Sequence, residues 1–268
     1  MAAVSNILFL VHRLPYPPNK GDKVRSYHLL RHLLKSHRVF LGTFIDDPED
    51  EQYRPVLRAL CPDLHVERLQ PRSAKIRSLS ALATGEALTL AYYRRSSLAA
   101  WVQGVAAQHD LRASVVFSSA MAPYAQALAP DVPMLVDFVD VDSVKWSQYA
   151  DNHRWPLSWL YRREGRTLLA YERAVAAQAR QSFFVTSNEV ELFLRLAPEC
   201  TATVQAMSNG VDADFFAPDA ARPTPYSADE LPVVFTGAMD YWPNIDGVSW
   251  FTADVLPPLM AHWPRVDF

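Results

Sequence analysis

Short apolar runs alternate along the chain with longer stretches whose apolar positions recur every three or four residues. Residues 6–11 read Asn-Ile-Leu-Phe-Leu-Val, unbroken after the first position, as in a strand buried on both faces. Val24, Tyr27, His28, Leu30, Arg31 and Leu34 then fall three and four apart, which predicts a helix over 24–34. The same reading predicts strands at 38–45, 64–69, 114–117, 134–139, 182–186 and 203–207. Helices are predicted at 49–60, 73–83, 96–108, 157–179 and 189–196. Strands separated by helices imply parallel crossovers, hence an α/β fold with a mostly parallel sheet covered on both faces. Such sheets bind ligands at the carboxyl ends of their strands, so chemistry is expected in the residues that follow each strand.

Residues 217–227, Ala-Pro-Asp-Ala-Ala-Arg-Pro-Thr-Pro-Tyr-Ser, are polar, proline-rich and aperiodic, as linkers are. Beyond them the alternation restarts. A strand is predicted at 233–236 with Gly237 at its end, then a helix at 245–260 broken at Pro257-Pro258, then a strand opening at 266–268. The expected organisation is a first domain over 1–216, a linker over 217–231 and the start of a second domain over 232–268. A βαβ unit of that size cannot bury a core of its own. The expectation is therefore a second domain that continues past Phe268; the alternative is that 232–268 dock on the first domain as an added βα unit.

Composition narrows the classes. Of 268 residues, 50% are hydrophobic and 21% charged, which is globular and not disordered. A formal net charge of -3 excludes a global basic field, so nucleic acid is not an expected partner. No run of about 18 uncharged apolar residues occurs, and the 7–11 run is too short for a secretory signal. Two cysteines, Cys61 and Cys200, exclude a disulfide scaffold and a multi-cysteine metal site and suit a reducing, cytoplasmic compartment.

Three segments carry candidate chemistry. The loop after the first strand runs His12-Arg13-Leu14-Pro15-Tyr16-Pro17-Pro18-Asn19-Lys20-Gly21-Asp22 into a helix. With only one glycine it is neither a dinucleotide turn nor a P-loop. Gly21 at a helix N-terminus beside Lys20, Lys23 and Arg25 is a candidate anion cradle, with Asp22 as a plain helix cap the alternative. After the 134–139 strand, Asp137, Asp140 and Asp142 follow closely, and an extended chain is expected to gather them on one face. No histidine pairs with them, so a base or a sugar-hydroxyl acceptor is expected there and not a metal; a cap at Asp142 with a solvated Asp140 is the alternative. Glu172 on the 157–179 helix reads as a surface residue, and Ser187 as a helix cap. Finally, Trp155, Trp159, Arg162 and Arg163 mix large aromatics with arginine, as at a bilayer surface; packed aromatics with solvated arginines are the alternative.

Residues 209–218, Asn-Gly-Val-Asp-Ala-Asp-Phe-Phe-Ala-Pro, resemble the Asn-Gly-Val-Asp-x-x-x-Phe-x-Pro segment of retaining GT-B glycosyltransferases of the family 4 type, where it closes the N-terminal domain. Asn209-Gly210 suits a tight turn with positive φ available. Residues 235–244, Phe-Thr-Gly-Ala-Met-Asp-Tyr-Trp-Pro-Asn, resemble the opening of that family's donor-binding domain. Together with Gly21-Asp22-Lys23-Val24-Arg25 and the 136–143 run, the ordered set is similar to the sugar transferases associated with exosortase/PEP-CTERM exopolysaccharide systems. The chain departs from the family in three ways. Asp140 or Asp142 stands where many members have a histidine, Ala238-Met239-Asp240 follow Gly237 where many have an Arg and a Lys, and the Glu-x7-Glu region would fall beyond Phe268.

The resemblance implies a Rossmann-like first domain and the first βαβ unit of a second. It implies transfer of a sugar from a nucleotide diphosphate sugar to a hydroxyl acceptor, retaining and metal-independent, with no cofactor beyond that co-substrate. The acceptor would be a glycan or a lipid-linked glycan in exopolysaccharide synthesis, met at the cytoplasmic face of the inner membrane. On this reading Asp140 and Asp142 are the catalytic candidates, and Lys20, Gly21, Asp22 and Arg25 bind acceptor or phosphate. Asn209, Gly210, Asp212 and Gly237 belong to the interdomain and donor side. A GT-B-fold sugar-nucleotide epimerase and a non-catalytic glycan- or lipid-binding module are the other readings.

Overall fold

The computed structural model describes residues 5–268 except 215, 220, 228, 238, 240 and 241. The chain divides into two compact units, Met1–Gly210 and Val211–Phe268.

In the first unit the chain runs β1 (Ser5–Val11), α1 (Gly21–Leu33), β2 (His37–Ile45), α2 (Arg54–Leu60), β3 (Leu64–Arg68) and α3 (Pro71–Ser78). It continues through α4 (Ala81–Thr84), α5 (Leu88–Tyr93), α6 (Ser96–Gln108), β4 (Leu111–Phe117), α7 (Ala122–Gln126), β5 (Met134–Val139) and α8 (Asp142–Asp151). α9 (Leu157–Gln178), β6 (Gln181–Phe184), α10 (Ser187–Leu196) and β7 (Val204–Ala206) complete it. Among the described residues the strands form one seven-stranded sheet in the order β3-β2-β1-β4-β5-β6-β7, parallel at every pairing. This is the Rossmann-like order, and its direction reverses between β1 and β4.

The period-two geometry of a strand explains the two-sided core. Leu8 and Leu10 of β1 join Phe44, Leu98, Val102 and Val116 on one face. Ile7, Phe9 and Val11 join Leu30, Val39, Leu41 and Leu57 on the other. Each fully buried Leu or Phe contributes roughly 1.5–3 kcal/mol, which is why uncharged runs are needed here and alternation would fail. Gly42 of β2 is small of necessity: an added Cβ would meet Leu10 and Trp101 at 3.0 Å.

The strand runs of this unit form where the hydrophobic pattern predicts them. α5, α7 and α8 are additions, and residues 73–83 divide into α3 and α4. α8 is polar on its outer face and reads as loop, but it lies along α9, where a Cβ at Gly165 would stand 2.5 Å from Ser147 Oγ and 2.9 Å from the Ser143 carbonyl. The close approach of the two helices supplies a stability that local propensity does not.

The second unit is a βαβ turn. β8 (Leu231–Pro232) pairs in parallel with β9 (Val266–Asp267), and α11 (Trp242–Trp250) and α12 (Leu256–His262) lie between them. Two expectations are corrected here. The 233–236 strand is displaced to 231–232, because the paired edge spans Arg265 to Asp267 and the last cross-strand bond is Val233 N–H to Asp267. Pro257 and Pro258 do not break the helix. A wide turn at Phe251–Val255 precedes them, and they fall in the first turn of α12, where a missing N–H costs nothing.

Candidate functional site

β1 hands the chain to His12 at the point where the sheet order reverses. The imidazole stacks on Phe117 of β4 at 5.8 Å with planes 3° apart, and meets Tyr93 of α5 edge-on at 5.9 Å. Its Nε2 lies 3.7 Å from Asp22 Oδ2. Its Nδ1 is buried and has no hydrogen-bond partner among the described residues. Burial pushes the His12 pKa down to about 4, against the opposing pull of Asp22, so the ring is neutral near pH 7. A neutral imidazole donates from one ring nitrogen and accepts at the other; with Nδ1 buried, Nε2 beside Asp22 is the nitrogen left to meet a hydroxyl.

Asp22 lies in the first turn of α1 and is not its cap; the cap position is Lys20, and helix geometry begins at Gly21. Asp22 Oδ1 accepts from the Lys23 N–H at 3.0 Å, and Oδ2 accepts from Arg13 Nη1 at 3.2 Å. Arg13 Nε donates to Asp46, after β2, at 2.8 Å. Lys23 is buried and donates to both oxygens of Asp50, at 2.7 and 2.6 Å. Arg13, Lys20, Lys23, Asp46 and Asp50 line a cleft of about 260 Å³. Gly21 beside it is open, with nothing within 4 Å of an added Cβ.

Arg25 corrects the anion-cradle expectation. Its guanidinium grips Asp137 of β5 with a fork, Nε to Oδ2 at 2.7 Å and Nη2 to Oδ1 at 3.1 Å. Its remaining nitrogen, Nη1, donates to Asn209 Oδ1 at 2.9 Å. Only 7% of the Arg25 side chain and 2% of Asp137 is exposed, so the charge is committed inside the protein. Burial raises the Asp137 pKa, and the Arg25 hydrogen bonds oppose that rise. Of the expected cradle, Lys20 and Gly21 stay at the surface, while Lys23 and Arg25 are paired.

The three carboxylates at and after the end of β5 do not share a face. Asp137 points to Arg25, and the chain then bends at Val139, whose φ of 69° lies in the left-handed region. A β-branched residue is strained there, as is Ser118 with φ 75° after β4. The bend is held by Val139 N–H to Asp137 Oδ1 at 3.3 Å and by Val185 N–H to the Val139 carbonyl at 2.7 Å. Past it, Asp140 and Asp142 converge on Lys145, at 2.6 and 3.3 Å. Burial raises the Asp142 pKa, with Lys145 opposing it. These side chains remain about a third exposed, at 33% for Asp140 and 39% for Asp142.

Two further carboxylates secure this corner. Glu189 of α10 accepts from Val141 N–H at 2.7 Å. Glu172 is not a surface residue: it is 1% exposed. It accepts from Ser143 Oγ at 2.5 Å and from Ser143 N–H at 3.3 Å, which fixes the first turn of α8. Burial pushes its pKa up to about 8. α10 is capped by Thr186, whose Oγ accepts from Glu189 N–H at 3.1 Å, and Ser187 is the first helical residue.

Trp155 and Trp159 are exposed, at 80% and 51%, and Arg162 stays at the surface near Asp151. Arg163 does not join them. It is 9% exposed and donates to the carbonyls of Ala81 at 2.7 Å and Glu86 at 3.1 Å. Gly210 is corrected in its conformation: positive φ among the described glycines occurs at Gly85. In the second unit, Phe216 N–H bonds the Asp212 carbonyl at 2.9 Å. A Cβ at Gly237 would stand 2.8 Å from Asn244 Nδ2. Ala238, Asp240 and Tyr241 of the 235–244 resemblance lie outside the described residues. Among the described residues no helix is long and apolar enough to cross a membrane, and no cluster of three or more metal-ligating side chains forms.

No protein-family model matches the chain, and neither does any curated protein. Among solved structures it is similar to sucrose-phosphate synthase from Thermosynechococcus elongatus, with a TM-score of 0.50 at 16% identity, over 81% of this chain and 51% of that one. The fold is that of a GT-B half. The chain thus spans about half the length of that synthase. It is also similar to Anabaena HepE in complex with UDP and glucose, with a TM-score of 0.45 at 15% identity, over 79% of this chain and 46% of that one. At such identity the likeness concerns architecture, and residue roles rest on the geometry above.

Proposed function

We propose that this chain is the acceptor-side half of a GT-B glycosyltransferase. The complete protein would move a sugar from a nucleotide diphosphate sugar to a hydroxyl of a glycan or lipid-linked glycan, with retention and without a metal, in exopolysaccharide synthesis. The observation that carries the acceptor assignment is the state of the charges at the sheet's reversal point. Arg13, Lys23, Arg25 and Lys145 are each paired with a carboxylate. What this edge offers is two carboxylates about a third exposed, Asp140 and Asp142, beside a neutral and mostly buried imidazole. These are hydrogen-bond acceptors and suit sugar hydroxyls; a pyrophosphate would need uncommitted cations. On this edge Lys20 and the open Gly21 backbone are what remains for an anionic group. His12 would orient the acceptor hydroxyl, while Asp140 and Asp142 would bind neighbouring hydroxyls more tightly in the transition state than before it.

The test is transfer by the complete protein. Nucleoside diphosphate release is followed for a panel of sugar nucleotides, with and without a glycan or lipid-linked acceptor and with and without EDTA. Release that needs the acceptor, survives EDTA and leaves the sugar with its starting anomeric configuration is the expected result. Turnover without any acceptor would favour an epimerase, and folded protein inert with every donor and acceptor would favour a binding module.

A further inference from the structure

Two crossovers rise at the same edge of the sheet. α3, α4 and α5 follow the carboxyl end of β3, and Tyr93, at the end of α5, touches His12. α9 starts on that side too. Its C-terminal end leads into β6, and Arg180 N–H bonds the Met134 carbonyl at the amino end of β5. Its 22 residues, at about 1.5 Å each, outreach the roughly 20 Å of a six-residue strand. Its first turns therefore stand past the carboxyl edge.

Arg163 joins the two crossovers through Ala81 and Glu86, and Glu164 accepts from the Leu88 and Thr89 N–H groups at 2.7 and 2.9 Å. Around this joint the surface is apolar. Ile76 is 72% exposed, Leu79 49% and Leu82 38%, beside Trp155, Leu157 and Trp159. Trp159 lies one helical turn before Arg163, and Leu82 is next to Ala81, so the two apolar groups flank the Arg163–Ala81 hydrogen bond. The exposed charge around them is mostly basic. Residues 70–85 carry Arg72, Lys75 and Arg77 with no acidic residue, and next in sequence to the tryptophans stand Arg154 and Arg162, the latter 3.5 Å from Asp151.

We propose that α3–α4 and the entrance of α9 form one surface that seats on an anionic lipid bilayer, beside the reversal point of the sheet. Protruding tryptophans in a basic field match the interfacial layer of such a membrane, with apolar tips at the acyl boundary and arginines among phosphates. A protein partner would instead be met by a patch whose centre is depleted of charge. The position of this surface suits an acceptor presented from the membrane. The surface itself is argued apart from the proposed reaction, and the vesicle assay contains no sugar nucleotide, so one reading can fail without the other.

The test is sedimentation of the chain with vesicles of phosphatidylcholine alone or with a minority of phosphatidylglycerol. Binding is expected to the mixed vesicles, and to fall when salt is raised from about 0.1 M to 1 M, which shortens screening from about 10 Å to 3 Å. Arg72→Ser and Lys75→Ser should each weaken partitioning roughly fivefold. The double variant Trp155→Ser/Trp159→Ser should weaken it at least tenfold while the thermal melt in solution stays unchanged. Brominated lipid should quench tryptophan emission in the parent protein and not in that variant, which reads insertion directly. Equal affinity for neutral and anionic vesicles, or no effect of the tryptophan pair, would overturn the proposal. So would absence of vesicle binding together with a dimer that the tryptophan pair abolishes, which would assign the surface to a second copy of the chain.

Discussion

Replacing Glu172 by Gln isolates one buried carboxyl group at the root of α8. The carboxyl is 1% exposed and its nearest partners are the hydroxyl and N–H of Ser143. Burial is the dominant cause of its raised pKa, with Ser143 acting in the opposite sense. In the folded protein it titrates near 8, and unfolded near 4.5. Below pH 4.5 both states hold the proton and the group is neutral to stability. Between 4.5 and 8 the unfolded chain gives it up more readily, so stability falls as pH rises. At about 1.4 kcal/mol per unit, the loss is about 3 kcal/mol by pH 7 and about 5 kcal/mol by pH 8, where it levels off. The carboxamide of the Glu172→Gln variant would keep the shape, accept from the Ser143 N–H and donate to its hydroxyl without titrating. The difference in urea-unfolding free energy between Glu172→Gln and the parent, measured from pH 4.5 to 8, should therefore grow in favour of the variant. At pH 7 the melting temperature should be higher by roughly 6–12 °C. A difference that stays constant with pH would refute the reasoning, because it would mean that Glu172 is already ionised in the folded state at pH 5.

His12 has the opposite sign. Its folded pKa near 4 lies below the unfolded 6.5, so its stability is complete above pH 6.5 and is lost as pH falls towards 4. His12→Gln should remove up to about 3 kcal/mol of that acid sensitivity, seen as urea midpoints that change less than the parent's between pH 7 and pH 4.5. Arg25→Lys keeps the charge but loses the fork to Asp137 and the bond to Asn209, and should cost about 2–3 kcal/mol in chemical denaturation. Asp140→Asn and Asp142→Asn, in the complete protein, should each lower kcat/KM tenfold or more, about 1.4 kcal/mol of transition-state binding. Unchanged turnover in both would remove these carboxylates from the mechanism. Gly165→Ala should destabilise by about 2–3 kcal/mol in the same assay, since its Cβ would sit 2.9 Å from the Ser143 backbone carbonyl.

The strands are legible because a strand buried on both faces needs an uncharged, mostly apolar run, and Ile7 to Val11 or Val39 to Ile45 has few other uses for one. The candidate site is legible only as far as it is local. Asp140 and Asp142 stand out because they follow a strand end. That Asp137 belongs instead to Arg25 depends on a partner 112 residues away, which spacing does not encode. His12 reads as a loop residue: its burial comes from Phe117 and Tyr93, on two other elements. Glu172 reads as a surface position because its helix face is set by α8, itself too polar to be foreseen. The bend at Val139 is invisible for a related reason. Valine is a poor choice for positive φ, so the conformation is imposed by the neighbouring strand and not by the residue.

Arg25 also bears on the order in which the protein comes together. It ties a helix near the start of the chain to residue 137 and then to residue 209. Neither bond can form until the chain between them has folded back across the sheet, and contacts of such long sequence separation are the slow ones. During synthesis, α1 therefore waits with an unmatched guanidinium until β5 arrives, and the completed fork waits again for Asn209. A chain that ends before residue 209 would lack the Asn209 bond and leave that nitrogen of Arg25 unmatched.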